Sequence, residues 1–117
     1  MDSILTSIKK LLGIAEDYTH FDTDIIIHIN SIFSILTQLG VGPETGFSIR
    51  DETASWTEFT QDDTTIEMVK TYVYLKVRLI FDPPANSSVT VSIEKAISEL
   101  EWRLNVAVDP KEENQNE

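Results

Sequence analysis

The chain has no cysteine, few basic residues (nine, against 20 acidic ones) and no long apolar run in its 117 residues. Without thiols there can be no thiolate nucleophile, cysteine-ligated zinc, iron–sulfur cluster or disulfide framework. The shortage of Lys and Arg leaves a formal net charge of -11. That disfavours non-specific adhesion to nucleic-acid phosphates or anionic lipid, where basic side chains must neutralise the negative charge. The apolar stretches are short, such as Ile25-Ile26-Ile27, far below the roughly 20 residues that cross a bilayer, and no signal-peptide pattern opens the sequence. The hydrophobic fraction of 41% is too high for a disordered chain. The expectation is one soluble cytosolic domain, large enough to bury a core without crosslinks, whose partners are proteins rather than DNA or membrane.

Hydrophobic spacing predicts four helices, hence a mainly α, four-helix bundle-like domain over residues 1–108. The first runs from Ser3 to Leu12, with Ile4, Ile8, Leu11 and Leu12 on one side, Lys9 and Lys10 near the C-terminal dipole, and Gly13 as its stop. The second is capped by Asp22 or Thr23, carries the stripe Ile25, Ile29, Ile32, Phe33, Leu36 and Leu39, and ends at Gly40. Asn30, Ser31, Ser34, Thr37 and Gln38 form its polar face, and Ile27 and Ile35 fall outside the stripe. Residues 41–61 read as a long loop with room for a short strand or β-hairpin around Phe47-Ser48-Ile49-Arg50, anchored by Trp56 and Phe59.

The third helix is expected to begin at a capping box, Thr64-Thr65-Ile66-Glu67, and to end at Asp82-Pro83-Pro84. Ile66, Val69, Val73, Val77 and Ile80 lie on one face of it, and Met68, Tyr72, Leu75 and Leu79 nearly opposite. A helix apolar on two faces is sandwiched between neighbours. The fourth helix follows Asn86-Ser87-Ser88 and runs to about Val106, with Ile93, Ala96, Ile97, Leu100 and Leu104 inward. Glu99 and Arg103 form an i,i+4 pair. Val91, Trp102 and Val106 project from almost the other side. Residues 109–117, polar and charged, read as a flexible acidic tail.

No constellation of residues indicates catalysis, a cofactor or a metal. His20 and His28 match no H-E-x-x-H motif and have no third histidine beside them. The acidic groups at Glu16-Asp17, Asp22 to Asp24 and Asp62-Asp63 adjoin helix starts, where carboxylates complement the dipole, and none has calcium-loop spacing. There is no G-x-S-x-G and no phosphate-cradling glycine loop. Lys70, Lys76 and Arg78 point in three directions along the third helix, so they form no nucleic-acid stripe and are expected to pair with nearby acids. Two readings of Trp102 and the second apolar face of the third helix stand. Either the core is fully enclosed and one aromatic is incidentally exposed, or neighbouring subunits cover what so small a chain cannot.

The run Val69-Lys70-Thr71-Tyr72-Val73-Tyr74-Leu75-Lys76-Val77-Arg78-Leu79-Ile80-Phe81-Asp82-Pro83-Pro84, followed by Glu99-Leu100-Glu101-Trp102-Arg103-Leu104-Asn105-Val106, resembles the head-tail connector proteins of tailed bacteriophages, also labelled phage DNA-packaging proteins. Phe21 to Ser31 and Gln38 to Pro43 are similar to the same group, so the resemblance covers most of residues 1–108. It implies a non-enzymatic adaptor, assembled in the host cytoplasm and placed in the neck of the virion. There it would form a ring, typically twelvefold, beneath the portal protein. It would extend the channel through which DNA passes as cargo and receive a further head-completion or tail protein. The resemblance also implies that the C-terminal segment, with Asp109, Pro110 and Lys111, docks into the portal. The ring needs two dissimilar surfaces. The expected halves are Val91, Trp102 and Val106 on the fourth helix, and Tyr74 and Arg78 on the third. The competing expectation is an acidic, antitoxin-like binding module that caps one basic partner.

Overall fold

The computed structural model describes the backbone of residues 3–116 and the side chains of residues 3–107. Its helices are α1 (Ile4–Leu12), α2 (Asp22–Gln38), α3 (Trp56–Phe59), α4 (Asp63–Phe81) and α5 (Ser87–Asn116). The four long ones correspond to the four helices expected from spacing, and α3 is a single extra turn.

α4 is the centre of the packing: α1, α2 and α5 all lie against it. This is the sandwiching that its two apolar faces require. Ile66, Val69, Tyr72, Val73 and Val77 are buried, and Met68, Leu75 and Leu79 pack partly buried around them. Each such buried side chain is worth about 1.5–3 kcal/mol relative to exposure. Ile80, expected on the inner face, is 54% exposed near the helix end. The α2 stripe of Ile25, Ile29, Ile32, Phe33 and Leu36 is fully enclosed, while Ile27 is exposed. In α1 the buried side is Ile4, Leu5, Ile8 and Lys9, and Leu11 lies outside it.

Several local expectations are corrected. α4 does not start with the Thr64–Glu67 box. Its cap is Asp62, whose carboxylate accepts from the backbone N–H of Thr65 at 3.2 Å and also from the Thr65 hydroxyl. The capping box of this chain is Ser55–Glu58, opening α3, where Glu58 accepts from the Ser55 N–H at 3.1 Å. α2 has Phe21 at its cap position and no side-chain cap, because the Asp22 carboxylate is turned to Lys9 instead. Asn86 does serve the start of α5, its side-chain oxygen accepting from the Ser88 N–H at 2.7 Å. The backbone of α5 is helical through Asn116, beyond the end expected near Val106.

No hairpin forms between α2 and α3. Among the described residues the one bridge is an isolated antiparallel pair, Ser3 with Ser55, beside a bond from the Ile4 N–H to the Ala54 carbonyl at 2.9 Å. The alternating segment Phe47–Arg50 is held by a side chain rather than by a second strand. The Asn30 amide donates to the Ile49 carbonyl at 3.0 Å and accepts from the Ile49 N–H at 2.8 Å, so it pairs both backbone groups of that residue. Ile49 and Phe47 can then close over the core, where Phe47 meets Phe33 edge to face at 5.1 Å and Phe59 at 5.4 Å. Trp56 and Phe59 anchor the loop as expected. Both are buried, and the Trp56 indole N–H donates to Ser7 Oγ at 2.8 Å.

Candidate functional site

The two apolar-polar surfaces flagged by the sequence lie on opposite flanks of the molecule. On α5 the inward stripe Ile93, Ile97 and Leu104 is buried against the body. At 100° per residue, Val91, Trp102 and Val106 fall within a sector of about 60° that is centred opposite this stripe. They are 48%, 67% and 39% exposed. α5 is fastened to α4 by the Tyr72 hydroxyl, which donates to Glu101 at 2.7 Å, with the Lys76 ammonium 5.7 Å from the Tyr72 ring centre. Trp102 therefore points away from the bundle.

Tyr74 is two residues, roughly 200°, beyond Tyr72 on α4, which puts it on the side away from α5. There Arg78 donates to the Tyr74 hydroxyl at 3.3 Å. The two residues line a shallow groove of about 240 Å3 together with Leu11, Leu12 and Gly13 from the end of α1, and with Asp82. Leu11 is 46% exposed here. It sits at the edge of the buried sector of α1, so a stripe defined by spacing alone assigns it to the core. Asp109, Pro110 and Lys111 lie within the helical backbone of α5, and their side chains lie outside the described residues.

The basic side chains of α4 meet aromatic groups. Lys70 lies 6.0 Å from the Trp56 ring centre, Lys76 rests over Tyr72, and Arg78 bonds Tyr74. The Glu99–Arg103 pair forms as its spacing implies, at 2.6 Å, on the solvent side of α5. His20 is exposed and packs edge-on against Phe21 with centroids 4.8 Å apart, while His28 is half-buried on α2. Among the described residues no three His, Asp or Glu side chains converge as a metal site, and no helix is long and apolar enough to cross a membrane.

Burial of Tyr72 and its bond to the Glu101 carboxylate hold the phenol protonated well above the usual tyrosine range. Because the folded pKa is raised, this bond contributes fully below the unfolded tyrosine value of about 10 and is lost as pH rises beyond it. Tyr72→Phe should cost about 1.5–3 kcal/mol in urea unfolding at neutral pH, the size of a hydrogen bond to a charged acceptor. The deficit of the variant relative to wild type should shrink above pH 10. A deficit that stays constant with pH would place the cost in packing instead.

Sequence reasoning did not anticipate the part of this surface built by α1, nor the device that fixes α1 to α2. The Lys9 ammonium is buried, donates to the Glu16 carbonyl at 3.0 Å and to the Tyr18 carbonyl at 2.8 Å, and forms an ion pair with Asp22 Oδ1 at 2.8 Å. Two of its N–H groups are thus taken by backbone carbonyls and its charge is met by Asp22, and residues 14–21 are drawn around it.

Comparison with known proteins finds a match to the family of phage connector proteins over residues 4–111. No curated protein and no solved structure matches the chain. The matched span takes in α1 to α4, most of α5 and both flanks described above, and the chain belongs to the phage connector protein family.

Proposed function

We propose that this connector works as a closed ring beneath the portal of a tailed phage, typically of twelve copies. In the virion neck the ring would lengthen the DNA channel and present a seat for the next head-completion or tail protein. The face of α5 carrying Val91, Trp102 and Val106 forms one half of the contact between copies, and the Tyr74–Arg78 edge of α4 forms the other. The C-terminal end, including Asp109, Pro110 and Lys111, engages the portal. Assembly takes place in the host cytoplasm.

The observation that carries this reading is Trp102, 67% exposed on a helix face turned away from the bundle, in a chain of the connector family. Large aromatic side chains are the commonest anchors of protein interfaces, and exposing an indole to water without a partner forgoes its burial. A ring also needs dissimilar surfaces whose rotation closes, and the two candidate halves sit on opposite flanks. The net charge of -11 suits a conduit: acidic walls repel phosphate, so a duplex slides rather than sticks.

Trp102→Ala should abolish assembly with portal, seen by sedimentation and negative-stain imaging, while far-UV circular dichroism and the unfolding midpoint of the monomer stay within error. Unfolding of the variant would place Trp102 in the core and sink the reading. A strict one-to-one complex with a basic protein, and no ring at any concentration, would favour the acidic capping module.

A further inference from the structure

We propose that the groove at the end of α1, lined by Leu11, Leu12, Gly13, Tyr74, Arg78 and Asp82, is the receptor for Trp102 of a second copy of this chain, in a head-to-tail contact. This rests on the ring reading above and names the residues that join one copy to the next.

The groove offers the three kinds of group that an indole binds. Leu11, Leu12 and Tyr74 supply apolar wall, and Leu11 is half exposed with nothing of its own chain over it. Arg78, held by the Tyr74 hydroxyl at 3.3 Å, supplies a planar cation for the ring face. Trp is the strongest acceptor of such stacking and Arg its most frequent partner. Asp82 supplies a carboxylate for the indole N–H, a group that can only donate. At about 240 Å3 the groove has room for a side chain and not for a helix. The other tryptophan of the chain shows what Trp102 lacks. Trp56 is buried, with its N–H on Ser7 and Lys70 near its ring.

Charge and placement favour a second copy docked head-to-tail over two α5 faces set against each other. Lys10 is exposed in the last turn of α1, next to the groove, and Arg78 lies within it. These are two of only nine basic residues in the chain. Beside Trp102 on α5 lies Glu99, 59% exposed and paired with Arg103 at 2.6 Å, and such docking brings its carboxylate toward Lys10 and Arg78 as well. Knob and groove lie on opposite flanks, so one contact leaves both copies with a free complementary surface, the condition for a ring.

The absence of native cysteine makes this testable by site-directed crosslinking in the full chain. Val106→Cys marks the Trp102 face and Lys10→Cys marks the groove, and both positions are exposed. With portal present and a short bismaleimide added, the two single variants mixed should yield a covalent dimer that neither yields alone. A chain carrying both cysteines should give a ladder of crosslinked species. Adding Trp102→Ala or Leu11→Asp to that chain should reduce crosslinking about tenfold, and Trp102→Phe, which keeps a ring and loses the N–H, should fall between.

Dimers from Val106→Cys alone would show an α5-to-α5 contact and overturn the proposal. Rings that form by imaging without any 10–106 crosslink would refute the groove as the receptor and leave the ring reading standing. Absence of any assembly of the unsubstituted chain with portal would end both.

Discussion

Gly42→Ala is expected to lower the stability of the monomer by about 2–5 kcal/mol. Gly42 has φ of +87°, a region in which a Cβ costs roughly 1–2 kcal/mol. The added methyl would also overlap the ring of Phe59. Phe59 cannot yield cheaply, because it is buried between Phe33 and Phe47, with ring centroids at 4.9 and 5.4 Å. Overpacking of that kind adds about 1–3 kcal/mol. Gly13→Ala is the internal control. Gly13 has nearly the same backbone, φ of +84°, and its added methyl would meet open space, so only the conformational part, about 1–2 kcal/mol, should appear. Urea unfolding of the two variants separates the terms. Equal losses would mean that Phe59 moves aside freely.

Replacing Lys9 with methionine is expected to cost about 2–4 kcal/mol. The substitution keeps the unbranched stem of the side chain, shortened by one atom, and removes its charge and three donors. It leaves the carbonyls of Glu16 and Tyr18 and the Asp22 carboxylate without their ammonium. Orphaning a buried polar group costs about 1–3 kcal/mol, and more for a charged one. The figure is held below that for a deeply buried pair because the Asp22 side chain is 24% exposed and can turn to water. Amide exchange in residues 14–21 should rise more than in α4, since Lys9 is what draws that segment onto the bundle. Asp22→Asn, which leaves both carbonyl bonds and an oxygen acceptor in place, should cost less than half as much. A Lys9→Met variant as stable as wild type would show that apolar packing fills the site equally well.

These two positions also mark where sequence stops being sufficient. Periodicity alone places the buried stripe of α2 and the double-faced character of α4, because both follow from side-chain direction along a regular helix. It likewise puts Trp102 opposite the inward stripe of α5, and the exposure of that side chain agrees. Contacts made across the chain are not carried by periodicity. Asn30 has the polarity of a solvent-facing residue, and its role in pairing Ile49 depends on a segment 19 residues away. Lys9 looks like an ordinary cation at a helix C-terminus until the Glu16 and Tyr18 carbonyls close on it. The α4 boundary has the same cause: Asp62 and Thr64 are both good caps, and the structure uses the earlier one. The groove half of the candidate interface was legible only as Tyr74 and Arg78, because Leu11 shares its spacing with core residues and is exposed by how α1 sits on α4.

Purified chain mixed with portal assemblies of the same phage and viewed by negative stain gives the plainest test of the connector reading. A closed ring of copies stacked on one end of the portal, coaxial with its channel and absent with Trp102→Ala, is the predicted result. Portal particles unchanged in outline at saturating chain, with the chain remaining monomeric in solution, would contradict it.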